Sequence, residues 1–305
     1  MTLTIASLFN IIITILIFVG IIYTIIIPWP AKLICRYYSP DIVYEKNENA
    51  NVTSKYTLYT STGSKHDKLV IVFPGGAGLF SELNNVYGLM NTLNTHLGSD
   101  YDILTFSYPT RFKSTIQQSM LAINTILLEF IHYTEIHAIG ISFGCLLAGA
   151  FYQKEAHLRI SSMMSVPQIG MKFNSFVGIC GIYDTRFNSS IITWLFRTYI
   201  MHKTNALKYY SCYNMNIPKY IVSAKSDFLV AHAVKFIKSE QSEYQIYDTR
   251  LLPHAFPQFL NLNEARETLD KISTFIKKIT KSLETSTTPS LITQTHLDSS
   301  LNMNM

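Results

Sequence analysis

The stretch from His137 to Ala150 constrains the fold more than any other part of the chain. It consists of an apolar run, a Gly-x-Ser-x-Gly turn centred on Ser142, and a helical pattern of small residues. Gly140 and Gly144 remove the side chains that would collide where a strand turns sharply into a helix. The pattern therefore predicts that Ser142 is held under backbone strain with its hydroxyl above a strand end. The alternative is a turn whose small residues serve packing alone.

Apolar runs of strand length alternate with helical patterns over residues 55–283. Strands are predicted at 55–60, 68–73, 102–107, 136–141, 176–180, 219–222 and 243–247. Helices are predicted at 80–97, after the capping-box sequence Ser114–Gln117, and at 263–283. This alternation predicts an α/β fold, with a mainly parallel sheet and helices on both faces. Ligands of such sheets bind at the carboxyl ends of the strands.

The amino-terminal part of the chain has the properties of a membrane span. The first 31 residues carry no charged side chain, and residues 3–27 are almost wholly apolar. As a helix this run would extend about 38 Å, which exceeds the roughly 30 Å hydrocarbon core of a bilayer. A cleaved signal peptide would instead have a basic start, a shorter apolar core and a small-residue cleavage site. We therefore expect an uncleaved transmembrane anchor in residues 1–31, followed by a connector over 32–54.

The side of the membrane that holds the rest of the chain is less constrained. Lys32 and Arg36 follow the apolar run, which by the positive-inside rule favours a cytosolic main domain. Asn51 and Asn188 begin glycosylation sequons, which would matter only in a lumen and are frequent by chance. We expect a single-pass protein of an endomembrane or the plasma membrane, with the cytosolic orientation favoured.

Charge and cysteine usage argue against several classes of function. The net charge of +5 is spread without a block of Lys or Arg, which argues against a nucleic-acid partner. The four cysteines form no CxxC pair or metal-ligand spacing, and Cys145 and Cys180 lie in apolar runs, which predicts small buried side chains. The glycine-rich loop at 74–78 completes neither a P-loop nor a Rossmann motif. No metal and no cofactor is predicted.

If Ser142 is reactive, its hydroxyl needs a base to take the proton and a group to orient that base. His254 is the best candidate for the base, because it lies in a loop between the final predicted strand and the final helix. Asp227 follows the strand at 219–222 and is the favoured acid, while Asp184 follows the preceding strand and is the alternative. The order Ser142, Asp227, His254 is the one that accompanies a nucleophile elbow.

Two segments are suited to stabilising an oxyanion on a substrate bound to Ser142. The N–H of Phe143, at the start of the predicted helix, would point toward such a charge. The loop Pro74–Gly78 follows the strand at 68–73, and its glycines would let backbone N–H groups approach a ligand closely. The alternative for this loop is a plain turn.

Together these residues resemble the α/β-hydrolase superfamily, in its lipase and esterase branch. The resemblance covers residues 55–283, with a small variable cap at about 185–216. It implies that Ser142 is the nucleophile, His254 the base and Asp227 the orienting acid. Residues 284–305, beyond the resemblance, are polar and rich in Ser and Thr, which predicts a disordered tail.

The same resemblance assigns the oxyanion hole to the N–H groups of Gly76 or Ala77, together with that of Phe143. The chain departs from the family pattern in this loop. Lipases and esterases of the fold commonly have His-Gly or His-Gly-Gly-Gly, whereas this chain has Pro74-Gly75-Gly76-Ala77. The glycines are kept, but the histidine that usually helps to shape the loop is absent.

The resemblance and the anchor together predict a membrane-anchored serine hydrolase of carboxylic esters. Lipid esters are the favoured substrates, because the anchor would hold the site near a membrane, where acyl chains partition. One alternative is a thioesterase or acyltransferase on the same fold. The other is a non-catalytic membrane protein that uses the fold to bind a partner or lipid. Such a protein would not need a serine, an acid, a histidine and an oxyanion loop together.

Overall fold

A computed structural model describes most of the region that is predicted to fold as an α/β domain. The described residues are 50–60, 67–78, 81, 83–110, 114–187, 190–201, 206–249 and 251–287. Within these ranges no helix is long and apolar enough to cross a membrane. The predicted anchor at 3–27, most of the connector and the chain after residue 287 lie outside the described residues.

The strands of the described residues form a single mixed sheet. They are β1 (Ala50–Val52), β2 (Tyr56–Tyr59), β3 (Lys68–Phe73), β4 (Tyr101–Phe106), β5 (Glu135–Ile141), β6 (Ser175–Ile179), β7 (Lys219–Ala224) and β8 (Glu243–Tyr247). Their order across the sheet is β1-β2-β4-β3-β5-β6-β7-β8. β2 pairs antiparallel with both β1 and β4, and the pairs from β4 to β8 are parallel.

Helices cover both faces of this sheet. The described helices are α1 (Tyr87–Leu97), α2 (Ile116–Leu127), α3 (Phe143–Ala156), α4 (Leu158–Met164), α5 (Ser190–Leu195), α6 (Val230–Glu240) and α7 (Asn263–Thr287). α1 and α7 pack together in one core layer, and α2, α3 and α6 contribute to the other. The predicted α/β class, with a mainly parallel sheet between helices, is confirmed.

The two core layers explain why the central strands are continuous apolar runs. In β3, Leu69, Ile71 and Phe73 belong to one layer, whereas Val70 and Val72 belong to the other. All five side chains are fully buried. Burial of such a side chain contributes about 1.5–3 kcal/mol. Alternation is absent from β3 because neither face of the strand meets water.

The capping box of α2 lies one residue later in the chain than predicted. Thr115, not Ser114, is the N-cap: its side chain accepts the Gln118 N–H at 3.2 Å, and Gln118 Oε1 accepts the Thr115 N–H at 2.8 Å. The Ser114 hydroxyl instead donates to the Thr110 carbonyl at 3.2 Å. The prediction that Ser114–Gln117 forms the box is therefore wrong, because two overlapping sequences share the same spacing.

Both ends of the described domain extend beyond the predicted boundaries. Residues 50–52, within the connector predicted at 32–54, form β1 and pair with β2. α7 continues to Thr287, so the beginning of the tail predicted at 284–305 is helical. Glu284 in this last turn forms an ion pair with Lys68 Nζ at 2.9 Å, which ties the end of the helix to β3.

The segment between β6 and β7 contains the region that the resemblance assigns to a cap at about 185–216. It holds α5, a π-helical turn at Phe196–Ile200 and a 3₁₀ turn at Leu207–Tyr209. The Phe196 ring meets the Phe143 ring edge-on, with 6.1 Å between the ring centroids. The cap therefore packs against the first residue of α3, directly after Ser142.

Candidate active site

Ser142 occupies the sharp turn between β5 and α3, in the strained conformation that the sequence predicts. Its backbone has φ 54° and ψ −117°, a region that non-glycine residues rarely occupy. The Ser142 N–H donates to the Ile179 carbonyl at 2.9 Å. The Ser142 carbonyl accepts the N–H groups of Cys145 at 3.2 Å and Ile182 at 3.1 Å. Hydrogen bonds to both sides of the peptide thus hold the turn.

Steric constraints require glycine at both positions that flank the turn. A Cβ on Gly144 would lie 2.0 Å from the Phe73 carbonyl oxygen. A Cβ on Gly140 would lie 2.5 Å from the Cα of Cys145. Real Cβ atoms do not approach backbone atoms so closely, so any larger residue would push the turn out of position.

The structure brings Ser142, His254 and Asp227 into one hydrogen-bonded chain. Ser142 Oγ lies 2.8 Å from His254 Nε2, and His254 Nδ1 lies 2.8 Å from Asp227 Oδ2. An ionised carboxylate only accepts hydrogen bonds, so His254 donates to Asp227 through Nδ1. In this tautomer Nε2 is free to accept the Ser142 O–H, which is the arrangement that activates a serine.

The surroundings of Asp227 keep its carboxylate ionised. Burial acts to raise the pKa of Asp227, but the hydrogen bond and charge of His254, the Leu229 N–H and the Cys180 thiol outweigh it and lower the pKa below its ordinary value. The Leu229 N–H donates to Asp227 Oδ1 at 2.6 Å. Burial, reinforced by the Asp227 charge, raises the pKa of the Cys180 thiol well above its ordinary value. The thiol therefore remains a protonated donor.

The alternative acid and the histidine that opens the apolar run before Ser142 lie in other contacts. Asp184, the alternative acid, binds Arg186: Oδ1 accepts the Arg186 backbone N–H at 2.7 Å, and Oδ2 accepts Nε at 3.1 Å. His137 is fully buried near the opposite end of β5, where it bonds Ser175 at 2.8 Å and Glu135 at 2.7 Å. Neither side chain is bonded to His254 or Ser142.

Cys180, Asp227 and His254 also place potential metal-ligand atoms within 4.8 Å of one another. In this arrangement the facing atoms of Asp227 and His254 are hydrogen-bonded to each other. A metal would have to displace the His254 proton and that of a thiol whose pKa is raised. The cluster fits a proton-holding network better than a metal centre.

The glycine-rich loop passes directly beside the nucleophile. A Cβ on Gly75 would lie 3.0 Å from the Ile141 carbonyl oxygen and 3.2 Å from Ser142 Cβ, so a side chain there would push the loop away. The next two residues, Gly76 and Ala77, have left-handed backbone with φ of 112° and 55°. Phe143 is the first residue of α3, so its N–H has no partner within the helix. The predicted oxyanion donors thus lie on the two segments that meet at Ser142.

Tyr108 holds this loop in place, and it is not among the site residues that the sequence predicts. Its hydroxyl donates one bifurcated hydrogen bond, which the carbonyl oxygens of Pro74 and Gly75 share at 3.2 Å each. Burial raises the pKa of Tyr108, so the hydroxyl stays protonated and remains a donor. The position of Tyr108 in the sequence could have indicated a role in the site, because it follows β4 and so lies at the same sheet edge as the loop. A tyrosine after a strand, however, is equally typical of core packing.

Known proteins match this chain in structure, but not in sequence. No protein-family model and no curated protein matches the sequence. Esterase B from Lactobacillus rhamnosis is similar in structure, with a TM-score of 0.68 and 14% identity over 84% of this chain and 94% of that one. An esterase from Pyrobaculum calidifontis has a TM-score of 0.62 and 14% identity, over 82% of this chain and 93% of its own.

An esterase from the bacterial hormone-sensitive lipase family is also similar, with a TM-score of 0.60 and 13% identity over 80% of this chain and 89% of that one. The chain therefore has the fold of these esterases, the α/β-hydrolase fold. This agrees with the resemblance that the sequence carries around Ser142.

Removal of the Tyr108 hydroxyl tests whether it positions the loop. In Tyr108→Phe the carbonyl groups of Pro74 and Gly75 lose their donor, and the loop at 74–78, the predicted source of oxyanion donors, is no longer held in place. We expect the rate constant for Ser142 labelling by a fluorophosphonate probe to fall about 10- to 100-fold. Tyr220→Phe, a buried change in β7, is the control and should leave the rate unchanged. An unchanged rate in Tyr108→Phe would contradict this role.

The lowered pKa of Asp227 predicts how stability depends on pH. A carboxyl group whose pKa is lower in the folded state stabilises the fold above its unfolded pKa of about 3.9. This contribution is lost as the pH falls through the folded value. Asp227→Asn should therefore reduce the free energy of unfolding by about 1.5–3 kcal/mol at pH 7, with a difference that shrinks in acid.

Denaturant unfolding of the two proteins from pH 7 to pH 3 measures this difference. Asp248→Asn is the control, because its partner Lys225 and Asp248 itself are both largely exposed. Surface pairs of this kind contribute about 0–1 kcal/mol. A difference between wild type and Asp227→Asn that stays constant over the whole pH range would refute the account of Asp227.

Proposed function

We propose that the chain is a serine hydrolase that cleaves carboxylic esters through an acyl-enzyme intermediate. One observation carries the proposal: the hydrogen-bonded chain from Ser142 through His254 to Asp227, at a strained turn beside a glycine-rich loop. The esterases with the same fold support it. Esterase B has been solved with a tributyrin phosphonate, an analogue of an acylglycerol ester.

The first half of the reaction forms the acyl-enzyme. Ser142 Oγ attacks the ester carbonyl carbon as His254 Nε2 takes its proton. Asp227 stabilises the imidazolium that results. The carbonyl oxygen becomes an oxyanion, which the N–H groups of Phe143 and of Gly76 or Ala77 bind. The tetrahedral intermediate then collapses as His254 gives its proton to the departing alcohol.

The second half releases the acid. Water takes the position of the alcohol, gives its proton to His254 Nε2 and attacks the acyl carbon. Collapse of the second tetrahedral intermediate breaks the bond to Ser142 Oγ, and His254 returns the proton to the serine. The products are an alcohol and a carboxylic acid, and the side chains end in their starting protonation states.

Two features favour membrane lipids as the source of the ester. Residues 3–27 have the length and apolar character of a membrane anchor, which would keep the site beside a bilayer. Large apolar side chains also lie exposed next to the base. Phe228 is 75% exposed with its ring 4.6 Å from that of His254, and Leu251 is 91% exposed three residues before it. Such side chains gain by insertion into lipid.

Replacement of the nucleophile tests catalysis and topology together. The full chain, in isolated membranes, should hydrolyse a p-nitrophenyl ester and react with a fluorophosphonate probe, whereas Ser142→Ala should do neither. Protease added outside sealed vesicles reports the side of the membrane: a cytosolic domain is cleaved only when the cytosolic face is exposed.

A parallel assay with a matched thioester separates the closest alternative. Faster cleavage of the oxygen ester supports the proposal, and exclusive cleavage of the thioester contradicts it. Equal activity of wild type and Ser142→Ala would eliminate a serine hydrolase altogether.

The exposed apolar side chains near His254 give a separate prediction for lipid substrates. In Phe228→Ser with Leu251→Ser, hydrolysis of an ester embedded in vesicles should fall about tenfold relative to a soluble ester, because less apolar surface enters the bilayer. Leu158→Ser, which alters a 70% exposed leucine of α4, is the control. If the ratio of the rates for the embedded and the soluble ester is the same in the wild type, the double variant and the control, these side chains do not contribute to hydrolysis of membrane-embedded esters.

A further inference from the structure

The cap contains a cleft whose lining is rich in positive charge. Its volume is about 190 Å³, and it lies between the base of the cap and the 3₁₀ turn at Leu207–Tyr209. Three cations line it together with one carboxylate and three hydroxyl-bearing side chains: Arg186, Arg197, Lys208, Asp184, Thr185, Tyr210 and Ser211. The cleft far exceeds the roughly 10–15 Å³ that a single water needs, so it has room for a small polyatomic group.

The carboxylate in the cleft forms an ion pair with one of the three cations. Asp184 is buried, and its Oδ2 atom lies 3.0 Å from Arg186 Nη2 as well as accepting from Nε. Lys235 approaches the same oxygen at 3.9 Å from outside the cap. Asp184 therefore neutralises Arg186 and orients it, and its ion pairs are with Arg186 and Lys235 and not with the other two cations of the cleft.

Among the described residues, no carboxylate lies within ion-pair distance of Arg197 or Lys208. The Lys208 Nζ lies over the Tyr209 ring, 4.9 Å from the ring centroid. Residues 185–226 contain no Asp or Glu, whereas the cap at 185–216 contains four Arg or Lys residues. One carboxylate therefore faces three cations in this cleft, and this excess of positive charge favours an anionic ligand.

The chemistry of the lining selects the kind of anion. Arg197 is half-buried, and a guanidinium offers a planar fork of N–H donors that matches two oxygens of one group. Lys208 adds a compact charge, and Tyr210 and Ser211 in the lining carry hydroxyl groups that are able to donate hydrogen bonds. Several donors around one small volume suit a tetrahedral oxyanion with acceptors on every side.

We propose that this cleft is a binding site for a phosphate group. The same chemistry would recognise either the phosphate of an ester substrate, such as a phospholipid head group, or free phosphate acting as an effector. The first source rests on the proposed function, and binding itself does not. The position of the cleft suits a substrate, because Phe196, the neighbour of Arg197, packs on Phe143 beside the nucleophile.

The first experiment measures binding without turnover. Titration calorimetry with inorganic phosphate is performed on the full chain carrying Ser142→Ala, in neutral detergent micelles. We expect saturable binding that weakens with added salt and falls at least tenfold when Arg197→Gln or Lys208→Gln is added. Lys172→Gln and Lys281→Gln, which alter exposed lysines outside the cap, are the charge-matched controls and should bind as the parent does.

The second experiment identifies the source of the phosphate. With the reactive serine present, KM is compared for a neutral ester and for the same ester bearing a phosphate group. Vesicle binding is compared between phosphatidylcholine alone and phosphatidylcholine with phosphatidic acid. A lower KM and tighter binding for the phosphate-bearing molecules, both reduced selectively by Arg197→Gln, support a head-group site. Binding of inorganic phosphate without either preference supports a site for free phosphate.

Two results would overturn the proposal. One is the absence of saturable phosphate binding by the parent protein. The other is an equal loss of binding in the cap variants and in the lysine controls, which would mean that only overall charge matters. Because the binding assay uses Ser142→Ala, its failure would leave the proposed ester hydrolysis untouched. Conversely, if the wild type does not hydrolyse esters, the result of the phosphate-binding assay is unaffected.

Discussion

The left-handed backbone at Ser142 is the constraint on which the rest of the site depends. A non-glycine residue in this conformation costs on the order of 1–3 kcal/mol. Three backbone hydrogen bonds around the turn, each contributing about 0.5–1.5 kcal/mol, offset that strain. The strain places the hydroxyl above the carboxyl edge of the sheet. The loops that carry Asp227 and His254 end at the same edge, so one sharp turn makes the hydrogen-bonded chain geometrically possible.

The fold was largely predictable, because burial on both faces leaves a simple pattern in the sequence. β3 and β8 have the predicted bounds, since continuous or alternating apolar residues of strand length have few other uses. The wrong predictions concern element boundaries. They arise where two overlapping sequences fit the same pattern, or where tertiary contacts determine whether a segment forms a strand. Thr115 and Ser114 both satisfy the capping-box spacing, and β1 is only three residues long and is defined by its pairing with β2 at the sheet edge.

The site was predictable as a set of residue types, but its geometry was not. Asp184 and Asp227 both follow strands, and only the folded loops show which of them lies against His254. Tyr108 went unrecognised because its hydroxyl bonds main-chain carbonyl groups, which leave no trace in the sequence. It holds the glycine-rich loop at Pro74, the position where the lipases and esterases that the sequence resembles commonly have a histidine. Arg197 and Lys208 are likewise separated along the chain and share a cleft only in the fold.

The most direct test of the central claim is a crystal structure of the full chain after reaction with an alkyl phosphonate ester. The account predicts a covalent bond from phosphorus to Ser142 Oγ. It also predicts that the phosphonyl oxygen lies about 2.7–3.1 Å from the backbone nitrogens of Phe143 and of Gly76 or Ala77. Phosphorus bonded to a different residue, or a phosphonyl oxygen that meets neither set of N–H groups, would contradict the account.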